Sequence, residues 1–244
     1  MNNDILVVEW KGKAAHFKDL STNSNSLCFH VPPRPTIIGA LGYAMGLLED
    51  EYPNIFSTEN CNIAIEPMSE NIKSIDVINY INSKISNASA NVSVQNLYEK
   101  NNEYVRYWLY IRHKNKKILD ELEHIVKNSM YKIGRPGMGK MKFPSTFDFI
   151  TRTEIKEMSK VGNVIINSIC PEKYIEDIDF ERDYREKRRL TRSLLHRELT
   201  VDRELKSVED YVIPLNMKGI CVAEVNKEYN VLDVNGEEKR IYWM

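Results

Sequence analysis

The sequence predicts an α+β fold, with a sheet-and-helix domain over residues 1–150 and a smaller β-rich region over residues 151–244. Three observations predict it. Short runs of β-branched and aromatic residues recur along the whole chain, as at Ile5–Trp10 and Tyr104–Arg112. Two segments with helical character, Thr36–Leu48 and Lys117–Lys127, alternate with the early runs. Beyond residue 150 the apolar runs shorten, and the charged stretch 181–199 is the segment there with a helical reading. With 244 residues, 42% of them hydrophobic and 28% charged, the chain can bury a core in each region.

In order, Ile5–Trp10 is a strand, residues 19–26 a polar loop and Leu27–Val31 a second short strand. Pro32-Pro33-Arg34-Pro35 stops that strand, because the proline ring forbids helix before it but suits a first helical turn. The helix Thr36–Leu48 carries Gly39, Gly42 and Gly46, each costing about 1 kcal/mol relative to alanine. Their spacing of three and four residues puts them near one face, so another backbone or a ligand should lie close to that face. Asn62–Met68 is a strand, and residues 79–103, rich in Asn, Ser, Lys and Glu, form an exposed hairpin or arm. Tyr104–Arg112 alternates as a long strand. Lys117–Lys127 is an amphipathic helix with Ile118, Leu122, Ile125 and Val126 on its apolar side. The order strand, helix, strand, arm, strand, helix fits a small sheet with two helices on one face, a ferredoxin-like or RRM-like arrangement. In the second region Phe147–Thr153, Asn163–Cys170, Tyr211–Asn216, Gly219–Val225 and Lys239–Met244 read as strands, with a hairpin turn at Asp233–Glu237.

Several chemistries are disfavoured. Cys28, Cys61, Cys170 and Cys221 have no metal or redox spacing and read as buried thiols of a cytoplasmic protein. No signal-peptide pattern and no apolar run long enough for a bilayer is present. The five histidines lack ligand spacing, so no metal and no cofactor is expected. Gly134-Arg-Pro-Gly-Met-Gly-Lys140 has the letters of a phosphate-binding P-loop, but Met141 stands where a magnesium-binding hydroxyl is needed, and Phe143-Pro144 stands where a helix should begin.

The net charge is −1, yet the charge is unevenly spread. Residues 100–142 hold 11 Lys/Arg against 4 Asp/Glu, and residues 182–197 hold 7 against 2. Such local basic stripes suit phosphate more than a total charge can tell, although a charge run is more often a solvated face. The glycine loop, flanked by Lys132, Arg135, Lys140 and Lys142, is either a cradle for a phosphodiester backbone or a plain turn. Tyr43, His113 and Lys114 could supply acid–base groups for RNA cleavage, a reading that geometry must decide.

The segment His30-Val-Pro-Pro-Arg-Pro-Thr-Ile-Ile-Gly-Ala-Leu-Gly-Tyr-Ala-Met-Gly46 resembles the signature of the CRISPR-associated family-five proteins of the repeat-associated mysterious protein (RAMP) superfamily. The resemblance is tightest over residues 29–46, continues loosely through Gln95–Arg112 and Tyr131–Lys140, and is thin after residue 150. It implies an RRM-like domain with a β-hairpin thumb, placed at residues 79–103, and a β-rich C-terminal part. It implies a subunit of the type I surveillance complex, Cascade. Such a subunit holds the 5′ handle of the guide RNA (crRNA), contacts the backbone subunit and the large subunit, and meets target DNA indirectly. On that reading His30, Arg34 and Thr36 contact the handle, Lys84, Gln95, Tyr98 and Lys100 lie on the thumb, and Arg106, Arg135 and Lys140 face the RNA backbone. One branch of the family cleaves precursor RNA with a Tyr and a Lys-His pair. Here the pair is reversed, His113-Lys114, so RNA binding without catalysis is expected, with a metal-independent endoribonuclease or a protein scaffold as the alternatives.

Overall fold

The computed structural model describes residues 3–19, 26–81, 89–200, 202 and 204–244. The elements run β1 (Asp4–Gly12), α1 (Arg34–Met45), α2 (Tyr52–Ile55), β2 (Cys61–Pro67), β3 (Asn71–Ile81), β4 (Ser89–Glu99), β5 (Val105–His113), α3 (Lys116–Asn128), β6 (Gly137–Met138) and β7 (Lys140–Ser159). They continue β8 (Val164–Ile166), β9 (Cys170–Pro171), β10 (Ile175–Ile178), α4 (Phe180–Arg185), β11 (Leu190–Leu199), β12 (Leu205–Pro214), β13 (Ile220–Val225), β14 (Tyr229–Val234) and β15 (Glu237–Ile241).

The main sheet has the order β15-β14-β7-β1-β5-β2, with β6 paired to the start of β7. All its neighbours are antiparallel. The 20-residue β7 serves two partners, β1 along Ser145–Glu154 and β14 along Ile155–Ser159. The sheet curls around it until its edges meet. Met244 N–H donates to the Ile63 carbonyl at 2.8 Å, and Lys239 Nζ lies 3.2 Å from Glu66. Among the described residues two three-stranded sheets, β10-β13-β8 and β11-β12-β9, and the β3–β4 hairpin complete the fold.

Strand alternation explains the core. Leu6, Val8 and Trp10 stand opposite Ile111, Leu109 and Tyr107 on one face of the sheet. They pack with Ile37 and Leu41 of α1 and Leu122 and Ile125 of α3, so both helices cover that face. Ile5, Val7 and Tyr110 point the other way and are covered by Leu232, Val234 and Ile241 of the curled edge. The larger core continues past residue 150 to Leu195, Tyr211 and Ile213. All four cysteines are buried and unpaired. Among the described residues no helix is long and apolar enough to cross a membrane.

Three local readings are corrected. Leu27–Val31 is not a strand: Cys28 makes an isolated bridge with Lys18, and Ser26, just before the segment, makes one with Val94 of the β3–β4 hairpin. Residues 181–199 are helical only through Arg185, because β12 offers Leu190–Leu199 a partner along its length, which local propensity cannot register. The hairpin is longer than its polar stretch, and its base is core rather than solvated arm. Val94 and Leu97 are buried, and Leu97 exchanges backbone hydrogen bonds with Ala15 at 2.8 and 3.0 Å. Lys84, placed on this arm by sequence, lies outside the described residues.

The neighbours on the glycine face of α1 are the side chains of Tyr52 and Lys132, not the backbone or ligand expected there. A Cβ at Gly42 would sit 2.7 Å from the Tyr52 Cβ, so the ring of α2 occupies the space that the glycines leave. Gly46 ends the helix at a φ of +72°.

Candidate nucleic-acid interface

The glycine loop is a tight turn between β6 and β7. Gly139 N–H donates to the Gly137 carbonyl at 2.9 Å, and Ser145 N–H donates to Pro136 at 2.9 Å. The Ser145 hydroxyl accepts from the Trp10 indole at 2.7 Å and donates to Pro136 at 2.7 Å, tying the loop to the core. The reading of a cradle of free N–H groups is therefore replaced by that of a plain turn. What the turn delivers is charge. Lys140 and Lys142 emerge beside Lys18 and the buried His16. Burial holds the Lys140 ammonium below its ordinary pKa, and the like charges of Lys142 and Lys18 lower it further. Burial also holds His16 low, with Lys140 and Lys142 adding to it, while its Nδ1 stays 2.7 Å from the Gln95 carbonyl.

Next to the turn, a cavity of about 620 Å³ opens between the end of β1, Tyr104 and the start of β7. Lys13, Arg135 and Lys142 line it with Tyr104 and Phe143. Lys13 Nζ sits 4.2 Å over the Tyr104 ring and Lys142 Nζ 4.7 Å over the Phe143 ring. Lys11 is committed to Asp148, a hydrogen bond that raises its pKa. Among the described residues no carboxylate lies within 4.0 Å of Lys13, Arg135, Lys140 or Lys142. Unpaired cations beside accessible rings form the surface that a single nucleic-acid strand needs: charge for phosphates and π-faces for bases.

The outer face of the sheet is different. There Glu9 holds Arg106 at 2.6 Å, and Glu66 takes Lys239 and the Tyr110 hydroxyl. Arg106 and Lys239 are thus already neutralised there.

The structure distributes the residues named from sequence as follows. Arg135 and Lys140 stand at the basic turn. Thr36 and Tyr43 line a neighbouring groove of about 450 Å³ between α1 and the turn, together with Gly137 and Gly139. Arg34 is inside the protein, 1% exposed, and its guanidinium donates to the Phe56 and Cys61 carbonyls at 2.6 and 2.9 Å. His30 is half-buried, and burial pushes its pKa down to about 4, with Lys73 and Arg189 adding to the effect. Gln95 ties the hairpin base down, its side-chain carbonyl accepting from Cys28 N–H at 3.1 Å. Tyr98 donates to Asp76 at 2.9 Å, Lys100 pairs with Glu70 at 3.2 Å, and Arg106 belongs to Glu9.

Tyr43 and His113 are not brought together. Arg34, at the start of α1, reaches the Cys61 carbonyl, and Cys61 pairs with His113 across β2 and β5. Tyr43 is nine residues further along α1, a rise of about 13 Å. His113 is buried, with Nε2 donating to the Ile55 carbonyl at 2.8 Å and Nδ1 accepting from Asn115 N–H at 2.9 Å. Lys114 is exposed at the turn that follows.

Sequence reading missed Lys13, Tyr104 and Phe143 as a group. The signal was there in Lys11-Gly12-Lys13 at a strand end and Lys142-Phe143 after the turn, but 90 residues of chain separate Lys13 from Tyr104.

Two solved structures share this fold. A crystal structure of a CRISPR protein from Archaeoglobus fulgidus is similar with a TM-score of 0.55 and 15% identity, covering 99% of each chain. A chain of a CRISPR RNA-guided surveillance complex is similar with a TM-score of 0.54 and 9% identity, covering 90% of this chain and 91% of that one. No protein-family model and no curated protein matches the sequence. The chain thus shares its fold with proteins of CRISPR systems.

Proposed function

We propose that this chain is an RNA-binding subunit of a type I CRISPR surveillance complex, Cascade, which caps the backbone of the complex and holds the 5′ handle of the crRNA. The observation that carries the reading is the gathering of Lys13, Arg135, Lys140 and Lys142, without carboxylate partners among the described residues, around a glycine turn beside Tyr104 and Phe143. Ammonium and guanidinium groups hold phosphates, and the rings stack with unpaired bases. The paired charges on the sheet face argue against binding there.

In this reading residues 1–150 are a ferredoxin-like domain, supported by the strand order β7-β1-β5-β2 with α1 and α3 in its crossovers. The β3–β4 hairpin is the thumb, and residues 151–244 are the C-terminal part. The backbone subunit and the large subunit are its protein partners, target DNA is met through the guide, and the complex acts in the cytoplasm. The role requires no metal or cofactor. The endoribonuclease alternative has little support, since Tyr43 and His113 stand at opposite ends of α1.

The test is binding of a repeat-derived RNA carrying the 5′ handle, against an RNA of equal length with the handle scrambled. The intact handle should bind about tenfold tighter or better, and the triple variant Lys13→Ala, Arg135→Ala, Lys142→Ala should lose most of that binding. Equal affinity for both RNAs overturns the handle reading, and an unaffected triple variant overturns the interface.

A further inference from the structure

At the opposite end of the curled sheet lies a second cavity, of about 390 Å³. The first cavity sits where Gly12 meets Val105 and Ser145, and this one sits beside Asn62, near the other end of β5. The nine residues of β1 span roughly 30 Å between the two ends. Lys227, Arg197, Trp243, Tyr174 and Asn230 are among the residues that line it.

Of the two cations here, Lys227 has no close anion among the described residues and Arg197 has a long one. Lys227 Nζ lies 4.2 Å over the Tyr174 ring and 3.0 Å from its hydroxyl, and no carboxylate stands within 4.0 Å of it among the described residues. Arg197 has a buried Nε with no hydrogen-bond partner, and its Nη1 comes within 3.9 Å of Glu209. With Glu228 on the cavity and Glu209 shared between Arg197 and Lys173, the site keeps a net positive charge. Trp243 offers a partly exposed indole, and Asn230 adds an amide. Cations, a flat aromatic wall and an amide in a volume of small-molecule size suit a planar base attached to a phosphate.

We propose that this cavity binds a nucleoside monophosphate unit, with its phosphate on Lys227 and Arg197 and its base against Trp243. The unit is a free mononucleotide or the phosphorylated end of a strand. The site is independent of the guide-RNA interface.

Calorimetric titration of the full chain with uridine and adenosine 5′-monophosphate tests the proposal. Saturable binding is expected, weakened about tenfold in Lys227→Ala, Arg197→Gln and unchanged in Arg135→Ala, Lys142→Ala. Lys227→Ala alone changes an exposed side chain and keeps the test valid if the double variant unfolds; it should weaken binding severalfold. Tighter binding of a 5′-phosphorylated tetranucleotide than of the mononucleotide identifies a strand end, and equal or weaker binding identifies the free nucleotide; both support the site. No saturation up to roughly 10 mM overturns it. So does binding lost in the Arg135→Ala, Lys142→Ala variant but kept in Lys227→Ala.

Discussion

Gly139 packs so closely on His16 that a Cβ there would lie 2.1 Å from the His16 carbonyl oxygen. Its φ of +85° is one that L side chains rarely adopt, and His16 N–H donates to the adjacent Met138 carbonyl at 3.1 Å. These contacts fix the turn that carries Lys140 and Lys142. Gly139→Ala adds strain at positive φ to a backbone clash, for an expected loss of about 2–4 kcal/mol. The loss should show as a lower urea midpoint at constant m, with RNA affinity falling alongside. A variant as stable as the parent would mean that the turn is held by something else.

Arg34 governs stability rather than RNA binding. Arg34→Met should destabilise the protein by about 2–4 kcal/mol, because two buried carbonyls, Phe56 and Cys61, lose their donor. Arg34→Lys should recover little, since both bonds come from Nη2, one bond beyond the point where a lysine ammonium ends. Where Arg34→Lys remains folded, its RNA affinity and salt dependence should equal those of the parent. A changed salt slope would place Arg34 at the interface after all.

Much of this was legible, and the losses have physical causes. The start of α1 followed from the prolines, which act locally, but its end comes at Met45 rather than Leu48, because Gly46 takes the left-handed cap instead of continuing the helix. The hairpin turn at Asp233–Glu237 has Asn235 and Gly236 at φ +53° and +88°, as its residue types require. Arg34 beside prolines at a helix start looked exposed, and only the return of Cys61 on β2 encloses it. Thr191–His196 became strand because β12 pairs with it, from Thr191 with Ile213 to His196 with Val208, contacts beyond the reach of a local pattern. At the basic turn, Arg135 and Lys140 belong to one local motif, Gly134–Lys140, which the chain shows as a unit. Tyr104 and Lys13 meet only when β5 lies beside β1, and no local pattern records that.

Acid should weaken the fold in a defined window. Burial lowers the pKa of His30 to about 4 from its ordinary 6.5, and it lowers those of His16 and His196 too. The folded protein keeps these rings neutral while the unfolded chain binds their protons, so stability present above about pH 6.5 is lost as the pH falls towards 4. Comparing Tm at pH 7 and pH 4.5, the parent should drop further than His30→Gln. Equal drops would show that His30 does not contribute.

Arg106 and Arg135 give the sharpest contrast for the interface. Both lie in the basic stretch 100–142, and both were expected to face the RNA backbone. Arg106 already has Glu9 at 2.6 and 2.9 Å through two of its nitrogens, whereas Arg135 is exposed on the basic cavity without a carboxylate within 4.0 Å among the described residues. A cation that neutralises one phosphate of a single strand contributes about 0.7 to the slope of log K against log salt. Arg135→Ala should therefore flatten that slope by about 0.7 and lower affinity most at low salt. Arg106→Gln should leave the slope unchanged, because its charge is already balanced and no counterion is released through it. The measurement is RNA affinity from about 50 to 200 mM salt for the parent and both variants. If Arg106→Gln flattens the slope and Arg135→Ala does not, RNA crosses the sheet face and the basic turn is not the interface.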